Sequence, residues 1–535
     1  MTNSGRGRAT NLSRRLVGLG LLLLGGCAMI GPDFETPASD KAKGWMEQGD
    51  HRLSQRSDEH REWWRLFNDP ILDRLVRMAY EQNLPLKTAG LRVLEAQAQL
   101  GIAIGEFYPQ KQHLSGLVEK FHLPMSGLSE RLPSGDGMVK TLWYDRIGPT
   151  VSWELDLWGK FRRAIESADA ELLAAIAGYD NALVTLTADV ANTYINLRTL
   201  EKKIEIAHNN VEAQLTNLRI AEAKHRGGSS SLRDVEQART VLGGTQASIP
   251  ILESQLRRAK NALSVLLGLP PGDLDKPLGG QSRYAMIPTP PVQVAVGIPL
   301  DLLRRRPDIR QAEYLAQSQS ASIGVAKANL YPAFSLSGSF AFVSSNANGH
   351  SLSDIFAWGN QFYRFGPAFQ WNLFNYGQIT NQVRAQDARF QSLVIDYQNT
   401  VLKAQREVED GLITFLKTQD AAEFLAKSTA AAKRSLDLAT LQYREGIADF
   451  TTVLTAEQSL LAQQDNFAST LGDVATSLVT VYRGMGGGWQ IREGHDFVPQ
   501  PIKDAMAKRT DWGELLNAMP VPTGPAKGTV RAPQW

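Results

Sequence analysis

The chain has one cysteine among 535 residues, so neither an internal disulfide framework nor a cysteine-based zinc site is available to it. Its net charge is +2, which supplies no concentrated basic face of the kind nucleic acid demands. The eight histidines are scattered, with no pair at metal-ligand spacing on a helix. No G-x-S-x-G elbow and no phosphate-loop G-x-x-x-x-G-K occurs. Glycines 484, 486, 487 and 488 have no strand–glycine–helix setting and read as a chain leaving a helix. No catalytic residue, metal or cofactor is therefore expected. After residue 27 no apolar run reaches the ~20 residues of a spanning helix, so a membrane crossing by the rest of the chain has to be a β-barrel. Proline is missing between Pro149 and Pro250, and again between Pro367 and Pro499.

What is present begins with a basic leader, Arg6, Arg8, Arg14 and Arg15, followed by an apolar stretch from Leu16 to Leu24. That stretch has signal-peptide length and is too short to span a bilayer as a helix. Leu24-Gly25-Gly26-Cys27 then resembles the lipobox of bacterial lipoproteins. The resemblance implies cleavage before Cys27 and acylation of its thiol; the plainer alternative is a signal peptide with an incidental cysteine. Ala28 and Met29 follow in place of the aspartate that resembles an inner-membrane retention signal, which favours the outer membrane.

The chain repeats itself. Residues 148–160 read GPTVSWELDLWGK and residues 366–378 read GPAFQWNLFNYGQ, 218 positions later. At the same offset Gly228, Val235 and Ala238 fall on Gly446, Val453 and Ala456, while Tyr108-Pro109 and Tyr331-Pro332 recur at 223. Two halves of similar plan suit a wall of equivalent staves better than one asymmetric pocket.

Each half holds strands. Val151, Trp153, Leu155 and Leu157 alternate with polar neighbours; Phe369, Trp371 and Leu373 alternate with Gln370 and Asn372. Ser335, Ser337 and Ser339 alternate with Leu336, Gly338, Phe340 and Phe342, and 112–120 places Leu114, Gly116 and Val118 on one face. Period-2 alternation separates an apolar face from a polar one. Aromatics crowd the ends (Trp143, Tyr144, Trp158, Trp358, Phe362, Tyr363), as in a barrel with a lipid-facing band and aromatic girdles. A soluble sheet buried on one face shows the same alternation.

The helices decide more. Shorter ones are expected at 70–82 and 84–107. Residues 161–226 and 379–444 each read as one helix, about 100 Å long at 1.5 Å per residue. Leu172, Ile176, Tyr179, Leu183, Leu186, Val190, Thr193, Leu197, Leu200, Ile204, Ala207 and Val211 keep a 3.5-residue period. So do Phe390, Val394, Tyr397, Val401, Ala404, Val408, Gly411 and Phe415. That period is a coiled-coil seam. Glycine-bearing turns at Gly227-Gly228 and Gly446 lead to returning helices near 232 and 450, and Pro250 should kink or break the first of these. Four strands cannot close a membrane barrel, whose smallest examples have about eight; three copies supply twelve strands and twelve long helices.

Together, GPDFETP at 31–37, WWRLFNDPILDRLV at 63–76, SWELDLWGK at 152–160, LLRRRPDIRQAE at 302–313 and YREGIADFTTVLTAEQ at 443–458 resemble the TolC/OprM family of outer-membrane efflux proteins, in its NodT-like lipoprotein branch. The likeness covers most of 27–490. It implies an α plus transmembrane-β fold: a homotrimeric, 12-stranded β-barrel continuous with a long α-helical coiled-coil barrel, two pseudo-repeats per protomer. Residues 45–80, 268–300 and 484–510 would form an equatorial belt. The expected divisions are 1–26 signal peptide, 27–83 acylated N-terminal and equatorial segment, 84–300 first repeat, 301–490 second repeat and 491–535 C-terminal segment with a flexible tail. The implied partners are an inner-membrane RND-type pump and a periplasmic adaptor, and the implied role is a passive exit duct for small molecules. The alternative use of the same fold is the outer-membrane duct of a type I protein-secretion system. A general porin would not need helices of this length, and a coiled-coil adhesin would not need the repeated strands.

Two residue groups are candidates for roles. Gly228, Ser229, Ser230, Ser231, Gly446 and Asp449 would lie at the periplasmic entrance, where copies of Asp449 form an acidic gate ring or simply N-cap the returning helix. The first tip, HRGGSSSLRDVEQAR, has serine where Asp449 stands in the second. Arg304, Arg305, Arg306 and Asp308 either bind an anion or, as favoured here, set up a helix opened by Pro307.

Overall fold

The computed structural model describes residues 29–40, 42–54, 61–122, 141–272, 274, 276–278, 286–296, 305–346 and 352–517. Cys27, Arg304 and the leader lie outside these, as does the tail beyond 517.

In chain order the elements are β1 (Leu53–Ser54), α1 (Pro70–Gln82), α2 (Leu84–Phe107), β2 (Lys111–His122), β3 (Thr141–Leu155), α3 (Lys160–Arg226), α4 (Leu232–Leu266), β4 (Val294–Ala295), α5 (Pro307–Ala328), β5 (Ala333–Ser345), β6 (Gln361–Gln370), α6 (Gln378–Arg444), α7 (Phe450–Gly484) and α8 (Gln500–Ala507). The repeat is metric: α3 and α6 are each 67 residues, α4 and α7 each 35. Both long helices start at a glycine with positive φ, Gly159 and Gly377.

The four long strands form one antiparallel sheet in the order β2-β3-β5-β6. Cross-strand partners share a face, so the register sorts the side chains. Leu114–Pro149–Phe340–Tyr363 and Gln112–Val151–Gly338–Phe365 lie on one face, continued by Trp153–Leu336–Pro367 and Leu155–Phe334–Phe369. His113–Thr150–Ser339–Arg364 and Lys111–Ser152–Ser337–Gly366 lie on the other. The apolar face is uncovered: Leu114 is 72% exposed and Phe365 71%. At the sheet's lower end the indoles of Trp153, Trp158 and Trp371 donate to the carbonyls of Phe107, Pro332 and Leu330.

Three strand expectations need correction. β3 begins at Thr141, well before Thr150, because Asp145 and Arg146 interrupt the alternation without interrupting the ladder. β6 runs Gln361–Gln370, so Trp371 and Leu373 are not in the strand; the alternation there continues into the turn that precedes α6. Leu157 likewise lies beyond β3. Nor does Pro250 break α4, which runs unbroken from Leu232 to Leu266.

α3 and α4 form one helical hairpin, α6 and α7 the other, and α3 packs against α7 to join them. The seam residues Tyr397, Val401, Ala404, Val408, Gly411 and Phe415 are buried as their spacing predicts, while Phe390 and Val394 are half-buried. On α3 the same holds down to Ala207, with Thr193, Ile204 and Val211 half-buried.

A belt core surrounds the helices at mid-length. Trp45, Trp63, Trp64, Leu274, Val294, Met485 and Phe497 share one apolar cluster with Tyr194 and Leu478. Trp63 stacks on Tyr482 at 5.9 Å. β1 and β4 pair in parallel, which ties residues 53–54 to 294–295. Asp180, fully buried, is held by Arg492 and Arg310, and both guanidiniums lie over the Trp489 ring. Removing one partner of so buried a pair costs about 3–5 kcal/mol, because the other charge is left uncompensated. Described residues from all three segments expected at the equator share this one cluster.

Candidate functional site

Three features can serve a conduit: the two-faced sheet, the hairpin tips, and the contact between hairpins above the tips.

At the first tip α3 ends at Arg226 and Gly228 turns the chain with φ 75°. Space beside Gly228 and Gly446 is open, so the left-handed backbone and not crowding calls for glycine. Ser229 Oγ donates to the Lys224 carbonyl, and His225 Nδ1 lies 3.0 Å from the Ser230 carbonyl oxygen. Ser231 precedes α4 but its hydroxyl donates to Asp234 Oδ1 at 2.9 Å, so it does not cap the helix. At the second tip Asp449 does cap: its Oδ1 accepts from the Thr452 backbone N–H at 3.2 Å and the Thr452 hydroxyl at 3.1 Å. Ile447 projects almost fully into solvent. Ala221, Val235, Tyr443, Phe450 and Val453 form a small core just above both turns. Lys224 Nζ sits 4.8 Å from the centre of the Tyr443 ring, so a residue of each hairpin grips the other.

Above that core the α3–α7 contact turns polar, which the apolar seam did not anticipate. Asn217 Nδ2 donates to Glu457 Oε1 at 2.5 Å, Asn210 to Gln464 at 2.8 Å, and Lys203 pairs with Asp465 at 3.3 Å. Glu457 is 3% exposed and Gln214 equally buried. Burial pushes the Glu457 carboxyl above its usual range, with the Asn217 donor opposing it. The signal was available: Lys203, Asn210, Asn217 and Lys224 stand seven residues apart on α3. A polar residue at a repeated seam position fixes the register of a coiled coil at some cost in stability.

Within the arginine motif, Arg306 and Asp308 have the structural role. Pro307 opens α5, and buried Arg306 pairs with Asp308 at 2.7 Å and Glu407 at 2.9 Å while donating to the Gly484 carbonyl. Its charge is spent on these buried partners. Gly486, with φ 71°, lies against Arg306 where a Cβ would clash. A further anchor was missed altogether. Ile30 N–H donates to the Trp158 carbonyl, and buried Arg163 pairs with Asp33 and Glu166, both at 2.7 Å. That fixes the segment after Cys27 to the foot of the sheet. No group of three or more His, Cys, Asp or Glu able to hold a metal occurs among the described residues, and no described helix is long and apolar enough to cross a membrane.

A sheet with one apolar and one polar face, standing on helices of 67 residues, defines the chain as a stave of an outer-membrane channel. The family model "Outer membrane efflux protein" matches residues 75–269 and 298–487, and the chain belongs to that family. Solvent efflux pump outer membrane protein SrpC of Pseudomonas putida is 31% identical over 485 residues, spanning 88% of this chain and 98% of that protein. Nodulation protein T of Rhizobium leguminosarum bv. viciae is 29% identical over 476 residues, spanning 88% and 92%. Among solved structures, the outer-membrane channel OprN superposes with a TM-score of 0.77 at 30% identity, covering 86% of this chain and 99% of that one. The Campylobacter jejuni CmeC channel shares the fold with a TM-score of 0.79, covering 89% and 100%. The protein is an outer-membrane efflux channel, an exit duct that reaches into the periplasm.

The buried Glu457 makes a pH prediction. A carboxyl bound more readily to its proton in the folded state stabilises the fold below its unfolded pKa, and that contribution is lost as pH rises through the folded value. Wild-type protein is expected to gain thermal stability on acidification from neutrality toward the ordinary carboxylate range. Glu457→Gln, which keeps the acceptor for Asn217 and removes the charge, should be the more stable at neutral pH and show a flatter profile. Thermal unfolding followed by circular dichroism across pH reads both; identical profiles would show that Glu457 carries no such linkage.

Proposed function

We propose that three copies of this chain form one passive conduit, a 12-stranded barrel in the outer membrane continuous with an α-helical barrel through the periplasm. The observation that carries this reading is the four-stranded sheet with β2 and β6 at its edges and an uncovered apolar face. Among the described residues neither edge has a partner strand in the sheet, and a neighbouring copy offers the complementary edge. Residues 1–26 act as a leader, Cys27 carries the lipid, and 27–83 joins the belt. The repeats 84–300 and 301–490 supply the staves, and 491–535 ends in a belt segment and tail. The docking of Ile30, three positions after Cys27 in the sequence, on the Trp158 carbonyl supports the lipid reading.

The duct is not an enzyme. An inner-membrane RND-type pump supplies the energy and a periplasmic adaptor seals the tunnel to it. Several relatives are named for solvent, toluene or pyoverdine export, which supports small organic cargo. Gly228, Ser231, Gly446 and Asp449 border the entrance, and the tips part like an iris when it opens. Asp449 caps its helix and, in three copies, forms an acidic ring that favours cations.

Asp449→Ala is expected to lower conductance and cation selectivity at the entrance, as well as to cost about 1 kcal/mol of helix capping. Unchanged selectivity in planar bilayers would leave the cap as its only role. The wider reading is tested by crosslinking in intact cells and mass spectrometry of the partners. An adaptor with a proton-driven pump is expected. An ATP-driven transporter with a large protein substrate would instead make this the duct of a type I secretion system, and finding neither would revive a porin.

A further inference from the structure

The polar face of the sheet is not merely polar; its charges are sorted by height. Reading the register from the helical end outward, the first level holds Glu154 with Ser335 and Ala368. Next come Lys111, Ser152, Ser337 and Gly366, then His113, Thr150, Ser339 and Arg364. Two levels further out Arg146 lies between Leu117 and Val343, and Glu119 follows beside Tyr144 and Ser345. Glu154, at the lower rim, is already paired with Lys160 at 3.0 Å. Between Glu154 and Glu119 the described residues of this face therefore include Lys111, Arg364 and Arg146, and no carboxylate. None of the three strong bases is in an ion pair with another described residue. Apart from Leu117 and Val343 beside Arg146, the remaining side chains are hydroxyls and small residues that leave room. One aromatic interrupts them: Phe362 lies beneath the Arg146 guanidinium, 5.6 Å from ring centre to charge, which holds the base in place on the face.

The other face carries Pro149, Val151, Trp153, Leu155, Phe340, Phe365 and Phe369, so the apolar face meets lipid and the basic face meets the lumen. Every base recurs in each copy, and all of them surround the same water column. A narrow passage with low-dielectric walls focuses such a field and concentrates ions of opposite sign. Rings of Lys and Arg are how pores select anions.

We propose that the membrane-spanning part of this duct is a basic stage that collects and passes organic anions, such as carboxylates, sulfonates and phenolates, on their way out. The stage is distinct from the entrance, where Asp449 has the opposite sign. It deepens the channel reading and rests on it.

The test uses the full-length acylated protein in nanodiscs. Binding of the trisulfonated pyrene dye pyranine and of the cationic dye rhodamine 6G is followed by fluorescence anisotropy at pH 8, where an ordinary histidine is neutral. Pyranine is expected to bind more tightly than rhodamine 6G, and more weakly as salt is raised. Replacing Lys111, Arg146 and Arg364 together by glutamine is expected to weaken pyranine at least about tenfold. The pair Arg146→Lys and Arg364→Lys, which keeps the charge, should bind as wild type and guards against a folding defect. Preference for the cationic dye, or a glutamine variant that binds pyranine as wild type does, overturns the proposal. Conductance of the same preparation separates the two readings: binding as expected without any conductance would leave the basic face standing and remove the channel.

Discussion

Backbone hydrogen bonding in hydrocarbon is the constraint from which the rest follows. A strand in a bilayer has no water to satisfy its N–H and C=O groups, so an open sheet edge there is not tolerated. The described residues present four strands in one sheet, with β2 and β6 at its edges, and show aromatic residues on the apolar face and at both ends. No rearrangement of four strands closes a barrel, so assembly is imposed by the backbone and not added to it. The apolar exposure of Tyr363, Phe365 and Phe369 on β6, which would be a liability in a soluble monomer, is the expected surface of such a sheet.

Closure then sets the form of the helices. Each repeat leaves the sheet through a left-handed glycine, Gly159 or Gly377, directly into a helix about 100 Å long. A helix of that length is stable only while a seam is covered, and the hairpin partner and the opposite hairpin cover it. The belt stiffens the middle through Trp63, Tyr482, Asp180 and Arg492. Below it the α3–α7 contact exchanges apolar packing for Asn217–Glu457 and Asn210–Gln464. Hydrogen bonds between buried polar side chains are worth about 1 kcal/mol each in net terms but are costly to leave unmade. Such a contact favours a defined register over maximal adhesion.

Much of this was legible in the residues. The bounds of α3 and α6 lie within one residue of expectation, because missing prolines, a sustained heptad and glycine at each end point to the same place. The strands were less legible. Alternation at Phe369, Trp371 and Leu373 outlasts the ladder, since the turn before α6 also exposes large apolar groups. Asp145 and Arg146 hid the upper half of β3 by putting charges where a half-buried strand would not have them. The polar layer was overlooked because an asparagine in a heptad reads as surface until its partner, 240 residues away, is brought opposite. The belt joins segments from both ends of the chain, and local pattern carries no information about that meeting; the resemblance supplied it. Of the tip residues, Asp449 has the capping role its position suggested, whereas Ser231 spends its hydroxyl on Asp234.

The claim on which the account rests is that β2 of one copy pairs with β6 of the next. Cysteine crosslinking reads it directly, because Cys27 is the chain's only native thiol and the acylation proposed for it would block it. One cysteine is placed at Leu117 on β2 and a second is walked along β6 from Phe362 to Phe369 in protein oxidised within outer membranes. The account predicts covalent trimers at a small set of β6 positions two residues apart, on the face that Leu117 shares. Monomers closed on themselves, or no crosslink at any position, would contradict it.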